Sequence, residues 1–172
     1  LAHYHFARED YASLLQLAKQ TNVSDIDDAW TAYRFGESLY RVGNYKEALR
    51  YYKRATEILP FHLDFQEKLG ATYVPLQDLR LARQTFEWII GEHPKSSIAL
   101  CNLGYVYALQ GDFSSAESFY NRAIALDPDY QQALLNKAAI RLAQEDRKSG
   151  MELLERVLQI NPDNGQALSL KQ

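Results

Sequence analysis

The sequence predicts an all-α protein built as a solenoid of antiparallel helix pairs, and three observations predict it. Pro60, Pro94, Pro128 and Pro162 stand 34 residues apart, and self-similarity at a fixed period in this range marks a stacked repeat array. Between the prolines, small and large apolar residues recur at fixed places. Midway through each period comes a pair of residues suited to a tight turn, as in Gly43-Asn44 and Gly111-Asp112.

Taken in order, the full repeats are 29–62, 63–96, 97–130 and 131–164, within a single domain spanning 1–172. Their seventh and eighth places hold Phe35-Gly36, Leu69-Gly70, Leu103-Gly104 and Lys137-Ala138. The eleventh holds Leu39, Tyr73, Tyr107 and Arg141, the twentieth Ala48, Ala82, Ala116 and Gly150, and the twenty-fourth Tyr52, Phe86, Tyr120 and Leu154. Small residues fit where two helices approach closely, and large ones fill the space a turn away. Apolar spacing of three and four within each half predicts amphipathic helices rather than strands. Between the halves lie Gly43-Asn44, Gln77-Asp78, Gly111-Asp112 and Glu145-Asp146. Gly adopts the left-handed conformation that ends a helix, and Asn or Asp caps the next one. Pro75 falls inside a first helix, and its missing N–H and its ring end that helix near Val74. Residues 1–28 read as a partial repeat, with Tyr11 in register with Tyr45 and Phe113 and with Leu1-Ala2 in the Leu-Gly places. Residues 165–172 begin a further or capping helix. Because solenoids need polar caps at both ends, these unfinished ends lead us to expect a fragment of a longer parent.

This succession of Leu-Gly, Tyr, Ala, an aromatic residue and Pro resembles the tetratricopeptide repeat, and it does so over essentially the whole chain. Residues 97–130 match best, through Leu103, Gly104, Tyr107, Ala116, Tyr120, Ala123 and Pro128. The fourth repeat departs most, with Lys137, Ala138, Arg141 and Gly150 in place of the usual types. The resemblance implies a right-handed superhelix whose first helices line a concave groove that holds a protein or peptide, without cofactor or catalysis. It also implies that the second, fifth, sixth, ninth, twelfth and thirteenth places face that groove.

On that basis the candidate peptide contacts are Trp30, Tyr33, Arg34, Tyr40, Lys68, Cys101, Asn102, Tyr105 and Asn136. The sixth places form a ladder of donors: Arg34, Lys68, Asn102 and Asn136. Two basic members suit a carboxylate, and the aromatics offer apolar area with polar tips. The plainer alternative is that Arg34 and Lys68 pair with Glu37 and Glu67 on adjacent turns and that Tyr40 packs against a neighbouring helix. Trp88 stands where other repeats have Arg54, Arg122 and Arg156, which makes it a candidate exposed aromatic and second contact site. Family members that clamp a chaperone's carboxylate terminus use Lys and Asn at the fifth and ninth places of one repeat. Here those places hold Tyr33 and Glu37, or Glu67 and Ala71 one repeat later, so that specificity is not expected.

Composition narrows the function classes. The formal net charge is −3, and basic residues are interspersed with acidic ones, as in Arg50, Lys53, Arg54 and Glu57. Nucleic-acid binding would call for a basic face. No apolar run approaches the roughly 20 residues that span a bilayer, so membrane insertion is not expected. Cys101 is alone in the chain, which excludes an internal disulfide; the compartment, cytoplasmic or periplasmic, stays open. His3 and His5 are two apart and face different ways on a helix, and His62 and His93 are isolated, so no metal pair is formed. No phosphate loop or activated nucleophile is recognisable. Two other readings stay open: an accessory domain of a larger enzyme or electron-transfer protein, and a homo-oligomer formed through the repeat ends or Trp88.

Overall fold

The computed structural model describes residues 11–172. Leu1, Ala2, His3 and His5, named above, lie outside the described residues. Among those described there are ten α-helices, one short 3-10 helix and no strand. Thr85 closes one compact unit and Phe86 opens a second.

The first unit contains α1 (Tyr11–Gln20), the 3-10 helix Val23–Asp25, α2 (Ala29–Arg41), α3 (Tyr45–Ile58) and α4 (Leu63–Tyr73). Next comes α5 (Leu79–Glu92), inside which the boundary between the units falls. The second unit continues with α6 (Ser97–Leu109), α7 (Phe113–Leu126), α8 (Gln131–Ala143), α9 (Arg147–Ile160) and α10 (Gly165–Lys171). Within each unit, consecutive helices pack against one another, most extensively α2 on α3, α6 on α7 and α8 on α9.

Short polar residues start most of these helices by accepting otherwise unpaired backbone N–H groups. The Asp28 carboxylate accepts the Thr31 N–H at 2.8 Å and the Thr31 hydroxyl at 2.6 Å. Ser96, Asp112, Asp146 and Asn164 cap α6, α7, α9 and α10 in the same way, each accepting the N–H three residues on. Asp28 and Asp112 consequently hold their carboxyls below the usual range, the Thr31 and Ser115 hydroxyls being the largest causes.

Four residues at one repeat place take positive φ: Gly43 at 76°, Gln77 at 62°, Gly111 at 81° and Glu145 at 62°. Each ends the first helix of a pair and turns the chain into the second. The N–H of the following residue then bonds back to a first-helix carbonyl, as from Asn44 to Leu39 at 2.9 Å and from Asp112 to Tyr107 at 3.0 Å. Pro75 has the expected consequence: α4 stops at Tyr73 after 11 residues, whereas α2, α6 and α8 each run for 13. A proline ring clashes with the carbonyl four residues back and offers no N–H to continue the ladder.

The cores explain the eighth and twenty-fourth places. A Cβ on Gly36 would lie 2.7 Å from the Tyr52 ring, and one on Gly104 would lie 2.7 Å from the Tyr120 ring. Both tyrosines are buried, so glycine is what lets helix and ring close together. Phe35, Leu39, Tyr51 and Phe65 complete the first core, and Leu134, Leu154 and Val157 extend the second. The Tyr51 hydroxyl donates to the Ala18 carbonyl at 2.6 Å, which ties α3 to the end of α1.

Candidate interaction surface

In the first unit, the side chains of α2 and α4 assigned to a ligand are largely engaged with each other. Trp30 meets Tyr33, His62 and Phe65 edge-on, with ring centroids 5.6, 4.9 and 4.9 Å away. His62 in turn stacks on Phe65 at 4.1 Å. Arg34 is buried, with its guanidinium 6.0 Å from the Trp30 ring. Burial lowers the Arg34 pKa, and the Asp28 charge opposes that shift. Tyr40 is half-buried and meets Tyr45 edge-on at 5.0 Å.

A polar chain is centred on the buried Glu37. The Tyr52 hydroxyl donates to the Glu37 carboxylate, and the Lys68 ammonium pairs with the same oxygen at 2.9 Å. Burial, reinforced by the Glu37 charge, raises the Tyr52 pKa well above that of a free phenol. Tyr33 is shifted the same way, chiefly by burial. Lys68 therefore reaches Glu37 on a different helix and serves to neutralise a carboxylate inside the unit.

The second unit presents a different surface. On α6, Ile98, Tyr105 and Leu109 are 44%, 41% and 44% exposed, while Asn102 between them is half-buried. Asn136 on α8 accepts a hydrogen bond from the Gln132 amide at 2.9 Å and approaches the Cys101 sulfur at 3.7 Å. Cys101 is 0% exposed. This corrects its assignment as a ligand contact, because its thiol lies beneath Asn136 in the core of the second unit. Burial pushes that thiol up to about 12, far from the thiolate form that reactive cysteines adopt. Trp88, expected to be exposed, is half-buried.

A cavity of about 380 Å³ opens between α8 and α10. Gln132, Leu135, Asn136 and Ala139 line one side, and Gln166, Ser169 and Leu170 are on the other. The first four occupy the second, fifth, sixth and ninth places of the fourth repeat. The residues of α10 were not among the sequence candidates. Their signal was available in the period, because Gln166, Ser169 and Leu170 lie 34 residues beyond Gln132, Leu135 and Asn136.

Among the described residues, no group of three or more His, Cys, Asp or Glu side chains could hold a metal ion, and no helix is long and apolar enough to cross a membrane.

Family models of the tetratricopeptide repeat match residues 97–130 and residues 3–60. Solved structures agree over nearly the whole chain. The crystal structure of MamA is 16% identical, covers 92% of this chain and 93% of its own, and superposes with a TM-score of 0.75. YrrB, described as a TPR protein with an unusual peptide-binding site, is 22% identical over 99% of this chain and 88% of its own, with a TM-score of 0.71. At these identities the likeness concerns the fold alone. Among curated proteins, the photosystem I assembly protein Ycf3 of Prochlorococcus marinus, strains NATL1A and NATL2A, is 30% identical over 87 residues. That stretch is 49% of this chain and 50% of the relative; the match thus spans about half the length of these relatives. The chain belongs to the tetratricopeptide-repeat family, whose helix pairs form protein-binding scaffolds.

Proposed function

We propose that the second unit carries the partner-binding surface, and that it holds an extended segment of another protein against α6, α8 and α10 without performing chemistry on it. The observation that carries this reading is the cavity of about 380 Å³ between α8 and α10. It is lined by four residues at places where the repeat family presents side chains to a ligand. The exposed apolar side chains of Ile98, Tyr105 and Leu109 on α6 supply area for anchors, and Asn102 and Asn136 supply amides able to meet a peptide backbone. A surface preformed by packed helices loses little freedom when it binds. In the first unit, Trp30, Tyr33 and Arg34 contribute rigidity through their mutual contacts and Lys68 through its pairing with Glu37, with Trp30 as the member most available to a ligand. The curated relatives are named as assembly proteins, which favours proteins over small molecules as partners.

The test uses peptides selected against the full chain from a random displayed library. Tyr105→Ala combined with Ser169→Arg removes an anchor and fills the cavity from an exposed position. This pair is expected to weaken selected peptides by about tenfold or more, the loss typical of a truncated aromatic anchor, while the melting temperature stays within a few degrees. Undiminished binding by calorimetry would remove this surface from consideration.

A further inference from the structure

The fourth repeat breaks the pattern at two places that elsewhere build the core. At the seventh place, Phe35 and Leu103 are buried and Leu69 packs against the first core. At the eleventh, Leu39 and Tyr73 are buried and Tyr107 stacks on Phe119 at 5.4 Å. The fourth repeat has Lys137 and Arg141 instead. Between α8 and α9 these two side chains line a cavity of about 450 Å³ together with Ser149, Glu152, Leu153 and Arg156. An apolar layer has been replaced by a space with three cations and one carboxylate in its lining.

The three cations are not equivalent. Arg141 is matched by acid, 2.7 Å from a Glu117 oxygen and 3.6 Å from an Asp146 oxygen. Among the described residues, Lys137 and Arg156 meet only neutral oxygens. The Lys137 ammonium donates to the Asn121 side-chain carbonyl at 2.7 Å, and the Arg156 guanidinium donates to the Pro128 carbonyl. These contacts hold two charges over the cavity without neutralising them. An oxyanion entering the space gains charge-assisted hydrogen bonds from both, while the Ser149 hydroxyl is engaged by the Asp146 carboxylate.

We propose that this cavity is an acidic-segment site, taking Asp or Glu side chains of a partner protein between Lys137 and Arg156. It shares no lining residue with the cavity between α8 and α10 and does not depend on it. The chemistry would favour an acidic partner even though the chain itself carries a net charge of −3, because the two cations are concentrated in one concavity.

The experiment titrates the full chain into a fluorescent hexaglutamate peptide, with hexaglutamine and inorganic phosphate as competing probes, and reads anisotropy at low and high salt. Hexaglutamate is expected to bind, hexaglutamine is not, and added salt should weaken the complex. Lys137→Gln with Arg156→Gln should reduce affinity about tenfold or more, as expected for losing hydrogen bonds to charged groups. Arg50→Gln with Arg80→Gln, both exposed and in the first unit, should leave it unchanged. Glu152→Gln removes the lining carboxylate at an exposed position and should tighten binding. Tyr105→Ala with Ser169→Arg should leave hexaglutamate binding intact, so failure here is distinguishable from failure of the peptide surface. Absence of hexaglutamate binding would overturn the proposal, as would displacement by phosphate at equal concentration or an equal loss in the Arg50 and Arg80 pair. Should the Lys137 and Arg156 variant melt early, an unaltered affinity in Glu152→Gln would overturn it as well.

Discussion

Tyr52 in the first unit and Tyr120 in the second occupy the same repeat place, each with its ring pressed against a glycine, yet their surroundings differ. The Tyr52 hydroxyl enters a chain of charge through Glu37 to Lys68. The Tyr120 phenol faces the neutral side chains of Cys101, Tyr105 and Asn136, and its pKa is raised chiefly by burial. The same sixth place therefore serves two ends. Lys68 neutralises a buried carboxylate and leaves the first unit's α2 and α4 tied to each other. Asn136 satisfies its amide on neutral neighbours and still borders a cavity. One repeat framework can yield a unit tied together by charge or one with neutral surroundings, depending on whether the ninth place carries an acid, as at Glu37, or an exposed phenol, as at Tyr105.

The comparison can be broken most severely at the glycines. Gly104→Ala and Gly36→Ala each force a Cβ against a buried ring. Each should cost about 3 kcal/mol in urea unfolding, the upper end for overpacking a dense core. A cost below that of an ordinary surface change would mean the ring can give way and that the close approach is not required.

Removing each hydroxyl separates the two units more finely. Tyr52→Phe takes a donor from a buried carboxylate and should destabilise by about 2 kcal/mol, whereas Tyr120→Phe, with neutral neighbours, should cost about 1 kcal/mol or less. Equal losses in paired thermal and urea melts would show that the charged chain confers no special bracing.

The smallest effect concerns the turns. Glu145 holds a left-handed conformation that costs an L residue about 1–2 kcal/mol, while glycine adds unfolded-state entropy, so Glu145→Gly should stabilise by about 0.5 kcal/mol. Gly111→Ala is the mirror experiment and should destabilise by about 1 kcal/mol. Calorimetric melts resolve both signs.

Much of the architecture was legible because the period locates each residue on a helix. The helix pairs, the turn place and the shortening of α4 by Pro75 follow from repeat counting and local chemistry. Side-chain partners were less accessible. The ladder of Arg34, Lys68, Asn102 and Asn136 shares one repeat place, but that place says nothing of depth. Arg34 is buried, and Lys68 finds Glu37 across helices rather than a neighbour on its own turn. Cys101 illustrates the same limit: its place faces a ligand in family terms, yet Asn136 from the next first helix covers it. Trp88 is half-buried although its counterparts are arginines. Counting fixes an angle around a helix axis; what lies above that angle depends on side-chain length and on the neighbouring helix.

The buried thiol has an experimental use. Cys101 is the chain's one cysteine, and it lies with no exposed surface under Asn136. A thiol-specific dye can therefore attach only during excursions that uncover Cys101, such as a separation of α8 from α6, so its labelling rate becomes a clock for breathing of the second unit. Any ligand that clasps those helices would slow that clock, giving a readout of occupancy that requires neither a tag nor knowledge of the ligand's sequence.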